Sequence, residues 1–229
     1  METYKTALIV GAGPGLSASL ARLFARQKIN VALAARTTGK LAGLTKETGA
    51  QAFTCDATKR DDVETLFGAV ESAFGAPDAV IYNASYRTRG PLLELDPAEV
   101  EKSIAVSAFA GFLVAQAAVR RMHGRGALLF TGASASVKGY AQSTPFAMGK
   151  FALRGLAQSL ARELSPRGIH VAHVVIDGGI RSERRPPSPD KTDALLDPDA
   201  IAATYWAIMQ QPRSAWTFET EVRPWVENF

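Results

Sequence analysis

Apolar residues in this chain come in short runs, separated by longer stretches in which they recur every three or four positions. The runs predict strands over 6–10, 30–35, 51–55, 79–82, 127–131, 170–176 and 217–222. Their hydrophobicity is continuous rather than alternating, as in parallel strands buried on both faces. The longer stretches predict helices over 15–28, 39–48, 61–74, 97–122, 145–164 and 198–210. Asp96-Pro97-Ala98-Glu99 supplies an N-cap, a proline at the first helical position and a carboxylate at the third. Asp197-Pro198 opens the last helix in the same way. Strands alternating with helices through right-handed crossovers put helices on both faces of one sheet. The expectation is an α/β, single-domain, doubly wound, mostly parallel seven-stranded sheet covering residues 1–229. One irregular stretch, 181–196, carries Arg184, Arg185, Pro186, Pro187 and Pro189. It follows the carboxyl end of a strand, a place suited to a substrate lid.

The turn after the first strand reads Gly11-Ala12-Gly13-Pro14-Gly15-Leu16-Ser17. A strand, a glycine turn and a helix in that order form a phosphate cradle. The glycines let the backbone approach phosphate oxygens, and the helix N-terminus supplies free N–H groups and a positive dipole end. At 229 residues, 47% hydrophobic and 8% aromatic, the chain suits one globular domain with a sizeable core. Its apolar runs are too short to span a bilayer, and residues 1–10 lack a signal-peptide hydrophobic region, so no membrane partner is expected. Cys55 is the one cysteine, which excludes an intrachain disulfide and suggests the cytoplasm; at a strand end it reads as a buried, inert thiol. A net charge of +4 with dispersed basic residues argues against nucleic acid. One imbalance stands out. No acidic residue lies between Glu2 and Glu47, while Lys5, Arg22, Arg26, Lys28, Arg36, Lys40 and Lys46 do.

In their order along the chain these features resemble the short-chain dehydrogenase/reductase family over nearly the whole length. The family's Thr-Gly-x-x-x-Gly-x-Gly turn is matched by Val10, Gly11, Gly15 and Ser17, with serine for the last glycine. Asp56 resembles the residue that contacts the adenine, and Asn83-Ala84-Ser85 the Asn-Ala-Gly stretch beside the cofactor. Ser134 resembles the active-site serine and Lys150 the active-site lysine. Asp177-Gly178-Gly179-Ile180 resembles the Pro-Gly-x-Val/Ile segment over the nicotinamide, with aspartate for proline. The resemblance implies a Rossmann-type fold. It also implies a cofactor-binding set of Gly11, Gly13, Gly15, Leu16, Ser17, Arg36, Thr37, Asp56, Ala57, Asn83, Ala84, Lys150, Gly178, Ile180 and Ser182.

The choice of cofactor has a physical argument. In dinucleotide folds a carboxylate about 20 residues beyond the glycine turn accepts hydrogen bonds from a ribose 2′-OH and selects NAD. Here Val31-Ala32-Leu33-Ala34-Ala35 ends the second strand without an acid, and Arg36 follows. A carboxylate would repel a 2′-phosphate, whereas a guanidinium grips it through two charge-assisted hydrogen bonds. Thr37 and Thr38 add hydroxyls nearby. NADP(H) is therefore expected in preference to NAD(H); the alternative is that Arg36 is a surface arginine at a strand end.

In this family a tyrosine four residues before the lysine exchanges a proton with the substrate oxygen. Positions i and i+4 of a helix share a face, so both reach one site. Here that position holds Phe146, and the phenol oxygen is gone. Tyr140 lies ten residues before Lys150, and the wider spacing of enoyl reductases would fall on Ser143. The helix-borne asparagine that supports the lysine corresponds to Ser107. The catalytic positions are thus Ser134, Phe146, Lys150 and Ser107, with Ser136 competing for the serine role. Substitutes for the phenol are Lys150, a hydroxyl at Ser134 or Ser136, Tyr140 from the loop, or a water held by Asp177, and the sequence leaves that choice open.

His123 reads as a favourable charge at a helix C-terminus. His170 and His173 flank the sixth strand and point to different faces; with no Cys/His cluster, no metal is expected. Arg181, Arg184 and Arg185 read as a solvated lid or as binders of an acidic substrate. Trp206, Trp216 and Trp225 are expected to bury area near the C-terminus, in a region that the resemblance implicates in a homodimer or homotetramer. Two functions stay open: an NADP(H)-dependent oxidoreductase of a small carbonyl/alcohol substrate with an altered acid/base site, or an NADP(H)-binding regulatory or redox-sensing protein without turnover.

Overall fold

The computed structural model describes residues 3–188, 190 and 193–226. Its strands are β1 (Thr6–Val10), β2 (Asn30–Ala35), β3 (Gln51–Thr54), β4 (Ala79–Tyr82), β5 (Gly126–Thr131), β6 (Ile169–Ile176) and β7 (Glu219–Val222). They form one sheet in the order β3-β2-β1-β4-β5-β6-β7, with every pairing parallel. The helices are α1 (Leu16–Arg26), α2 (Ala42–Thr48), α3 (Arg60–Phe74), α4 (Pro97–Ile104), α5 (Ala110–Arg121), α6 (Thr144–Leu164) and α7 (Pro198–Met209). This is the doubly wound, Rossmann-type sheet expected from the sequence, and its strand order reverses between β1 and β4.

Side-chain alternation on the strands divides the interior into two cores. Ala7 and Ile9 of β1 pack with Leu20 and Phe24 of α1 and Tyr205 of α7. Leu8 and Val10 pack on the other face with Phe67 of α3, Val114 of α5 and Leu153 of α6. Because both faces are covered, β1, β4 and β5 carry apolar residues at nearly every position, which is why their runs are continuous. Asp96 and Asp197 cap their helices as expected, accepting from the N–H groups of Ala98 (3.0 Å) and Asp199 (2.9 Å).

Two features depart from the sequence reading. The single helix expected over 97–122 is interrupted by a π turn at Ala105–Phe109 between α4 and α5. The Tyr82 hydroxyl donates to the Val106 carbonyl within that turn. A π turn inserts an extra residue per turn and rotates the following side chains, an effect no periodicity argument anticipates. The same run, Pro97–Arg121, is long and apolar enough to cross a membrane by length and composition alone, with a mean hydropathy of 1.5 over its most apolar part. Yet 56% of that part is buried inside the fold, as befits a core helix. Trp206 packs on Phe24 and Trp216 stacks on His170, but Trp225 is 82% exposed and does not bury area as expected.

Of the stretch 181–196, Pro189 and positions 191 and 192 lie outside the described residues. The loop is closed at its base by a bridge between Ile180 and Leu196.

Candidate active site

The turn between β1 and α1 is built by a close backbone approach. Gly11 has φ +88°, and a Cβ placed on it would sit 2.5 Å from the Ala84 Cα, so only glycine fits there. Gly13 and Gly15, by contrast, have no atom within 4 Å of such a Cβ, and both line the principal cavity. The hydroxyl of Ser17, the residue in place of the family's last glycine, donates to the Gly11 carbonyl (3.3 Å) and accepts from Asn83 Nδ2 (2.8 Å). It thereby ties the turn to the segment after β4.

Two cavities open along the carboxyl edge of the sheet where the strand order reverses, the usual place for a ligand in such folds. The larger, of about 460 Å³, runs from the glycine turn to Ser134, Phe146, Lys150, Gly178 and Ile180. The smaller, of about 230 Å³, is walled by Arg36, Lys40, Asp56 and Ala57. Gly11, Asn83 and Ser85 line both, so the two form one continuous crevice. Thr58 donates to Asp56 from its hydroxyl (2.7 Å) and its backbone N–H (3.1 Å) and holds that carboxyl below its ordinary pKa. Arg36 is exposed and forms no hydrogen bond or ion pair with a described residue.

At the far end, Lys150 of α6 is only 3% exposed. Its ammonium donates to the Thr131 carbonyl at the end of β5 (2.7 Å), and burial pushes its pKa down to about 8. The Thr131 hydroxyl is in turn hydrogen-bonded to Tyr205 of α7 (2.8 Å). Phe146 lies one turn before Lys150, and two cations stand near its ring: the Lys150 ammonium at 5.8 Å from the centroid and the Arg87 guanidinium at 5.4 Å. Phe146 thus presents an aromatic ring near two cations and carries no hydroxyl.

Residues 5–192 match the sequence profile of the short chain dehydrogenase family. The chain belongs to that family. A Rhodopseudomonas palustris short-chain dehydrogenase of known structure is 35% identical, superposing with a TM-score of 0.84 over 96% of this chain and 99% of that one. A metagenomic short-chain oxidoreductase solved in complex with NADP is 26% identical, with a TM-score of 0.84 over 97% of this chain and 98% of that one. Among curated relatives, the cyclic-di-GMP-binding biofilm dispersal mediator protein of Escherichia coli is 32% identical over 198 residues, 84% of this chain and 80% of its own length.

The crevice fits the dinucleotide of this oxidoreductase family. Open glycines face it at the turn, a hydrogen-bonded aspartate and an unpaired arginine stand at one end, and a buried lysine stands at the other. Most of the residues expected from the short-chain dehydrogenase motifs converge on it. Thr37 and Ser182 do not: both are exposed and line neither cavity. Ser107 is fully buried in the π turn against Gly149, beside Lys150 but out of the crevice. Of the two competing serines, Ser134 lines the crevice, while Ser136 is buried and accepts from the Ala133 N–H (3.0 Å). Asp177 is only 4% exposed, ion-pairs with Lys138 (3.4 Å) and does not line the crevice. Tyr140, remote from Lys150 in sequence, does line it. Arg185 also lines it, whereas Arg181 is spent on Asp197 (2.8 Å). Arg87 was missed altogether; its only signal is its position just past Asn83-Ala84-Ser85. Cys55 is buried, and burial pushes its thiol up to about 12, which makes it inert.

Both strand histidines lie inside β6 and serve packing. His170 stacks on Trp216 with centroids 4.6 Å apart and contacts the Thr217 carbonyl through Nε2 (2.8 Å). His173, fully buried, holds Glu219 Oε2 through Nδ1 (2.9 Å), and Arg154 grips the same carboxylate through two 2.7 Å hydrogen bonds. The pair with Arg154, and then the bond to His173, keeps Glu219 below its ordinary pKa. Burial pushes His173 down to about 4 from 6.5, against the opposing pull of Glu219. The unfolded chain therefore takes up this proton near pH 6.5 while the folded one resists until about 4, so stability is lost as pH falls across that window. The loss attributable to this group is on the order of 3 kcal/mol. Urea titrations from pH 7 to 4 should show it, and His173→Gln should flatten that part of the profile.

Proposed function

We propose that the protein is an NADP(H)-dependent oxidoreductase acting on a small carbonyl or alcohol, with an acid/base site rebuilt around the missing phenol. One observation carries this reading. A phosphate-binding turn, an unpaired arginine after β2 and a buried lysine beside a serine all line a single crevice. The metagenomic relative holds NADP, which supports the same cofactor here. In this proposal Gly11, Gly13, Gly15, Leu16 and Ser17 seat the diphosphate, and Asp56 with Ala57 flanks the adenine. Arg36 grips the 2′-phosphate, and Asn83, Ala84, Gly178 and Ile180 wall the nicotinamide end. Of the stretch expected as a lid, Arg185 lines the crevice, and the exposed Phe109, Phe112 and Phe151 support a homo-oligomer. The lone, buried thiol supports a cytoplasmic location.

The bound nicotinamide supplies hydride transfer to or from the substrate carbon. The chain's own residues supply the rest. Ser134 donates a hydrogen bond that orients the substrate oxygen. Lys150 holds the ribose hydroxyls and, as an ammonium, gives the proton that the phenol would have given. Its burial makes that proton easier to release, because desolvation penalises the charged form. The Phe146 ring excludes water from the reacting atoms.

A second reading has specific support: a protein that binds the cofactor without turnover and acts as a regulator. Phe146 removes the family's general acid, and the E. coli relative is named for binding cyclic-di-GMP.

Three outcomes are expected. Fluorescence titration should show NADPH binding more tightly than NADH, and Arg36→Ala should cost NADPH about tenfold to a hundredfold while leaving NADH unchanged, the usual worth of a charge-assisted pair. Equal affinities would defeat the cofactor assignment. If Lys150 donates the proton, NADPH-dependent carbonyl reduction should fall as pH rises through about 8, and Lys150→Met should lower it by about 10²–10⁴. Phe146→Tyr discriminates the two functions: an oxidoreductase shows turnover without it, whereas a regulator shows turnover only after the hydroxyl is restored.

A further inference from the structure

The substrate end of the crevice is cationic to an extent that hydride chemistry does not require. Arg87, Lys150 and Arg185 line one cavity, and among the described residues no carboxylate does. Several acids on neighbouring elements are engaged elsewhere, Asp177 with Lys138, Glu99 with Tyr86 and Lys102, Asp197 with Arg181 and Asp193 with Trp225, while Glu183, in the turn that carries Arg185, does not line the cavity. Neither Arg87 nor Arg185 makes a side-chain hydrogen bond or ion pair with a described residue. The two guanidiniums come from separate segments, Arg87 from the one after β4 and Arg185 from the loop beyond β6. The Arg185 guanidinium lies against Gly179.

Arg87 is also held in place. Its guanidinium stands 5.4 Å from the centre of the Phe146 ring, close enough for the ring's electron-rich face to fix the cation. A guanidinium stacked on a ring keeps its N–H edge free, and that edge matches the two oxygens of a carboxylate. The glycine turn, at the other end of the cavity, already offers backbone N–H groups for the cofactor's diphosphate. Arg87 stands instead beside Phe146, Ser134 and Lys150.

The geometry points to an oxo acid or hydroxy acid as substrate, its carboxylate held between Arg87 and Arg185 and its carbonyl or alcohol carbon presented to Ser134 and Lys150. This deepens the proposed function and rests on it. In the reductive direction the carbonyl carbon gains a hydride from the reduced nicotinamide and its oxygen gains a proton, giving the hydroxy acid and the oxidised cofactor. A site that neutralises a carboxylate discriminates strongly against uncharged analogues, since they leave its cations unpaired.

Calorimetric titration tests this without turnover. Linear 2-oxo and 3-oxo acids of three to six carbons, each beside its methyl ester and with inorganic phosphate as a further arm, are titrated into protein saturated with NADP⁺. At least one acid should bind tenfold or more tightly than its ester. Arg87→Gln and Arg185→Gln should each remove about tenfold of that acid's affinity and leave the ester's unchanged. Arg87→Gln should leave NADPH affinity as it was. The assignment is overturned if no acid outbinds its ester, if phosphate outbinds every acid, or if Arg87→Gln weakens NADPH instead of the acid. Failure of the underlying reading looks different: NADPH does not bind, or acids bind through Arg87 while no NADPH is oxidised.

Discussion

Gly11 meets Ala84 at the point where the chain leaves β1 for α1 and leaves β4 for the substrate side, and the crevice exists because these two segments touch there. A side chain at Gly11 would push the segments apart and tilt the first helix, whose N-terminus must face the crevice. The Ser17 hydroxyl reinforces the contact by bonding both the Gly11 carbonyl and Asn83. Three sequence features that look independent, a glycine, a serine where the family has glycine, and an asparagine after β4, thus form one device. It holds the reversal of strand order open to a ligand while keeping the backbone on either side rigid.

The other end of the crevice is governed by desolvation. Lys150 is a buried cation whose one strong protein partner is a neutral carbonyl, and that carbonyl belongs to a threonine anchored by Tyr205. Without a phenol beside it, the ammonium meets an aromatic ring that Arg87 also approaches. The buried charge of Lys150 is costly to the empty protein, and together with the exposed Arg87 and Arg185 it favours any anion, or developing oxyanion, that enters. The same arrangement therefore supports both the proposed proton donor and the proposed substrate charge.

The site is braced from parts of the chain that carry no family motif. The family profile ends at residue 192, yet Tyr205 of α7 and Glu219 of β7 lie beyond it. Glu219 joins Arg154 of α6 to His173 of β6, and so locks the helix that bears Phe146 and Lys150 onto the sheet. His173 in turn packs under Gly132, where a Cβ would lie 2.5 Å from its ring. The loop that carries Ser134 is thus seated on a buried imidazole.

The sequence by itself determined the sheet, its seven strands and the sidedness of its helices, because burial on both faces imposes continuous apolar runs and caps leave local signatures at Asp96 and Asp197. It also located the glycine turn and Arg36 at strand ends, while Asp56, Asn83 and Lys150 were located by their resemblance to the short-chain dehydrogenase motifs. Tertiary structure alone decided what depends on long-range packing. It turned Ser134 toward the crevice and Ser136 away, withdrew Asp177 to Lys138, lodged Ser107 inside a π turn and left Trp225 exposed. It also brought Arg87, Tyr140 and Arg185 from three separate loops to one cavity. Loop side chains acquire direction only when distant elements fix the backbone that carries them, and no local periodicity encodes that.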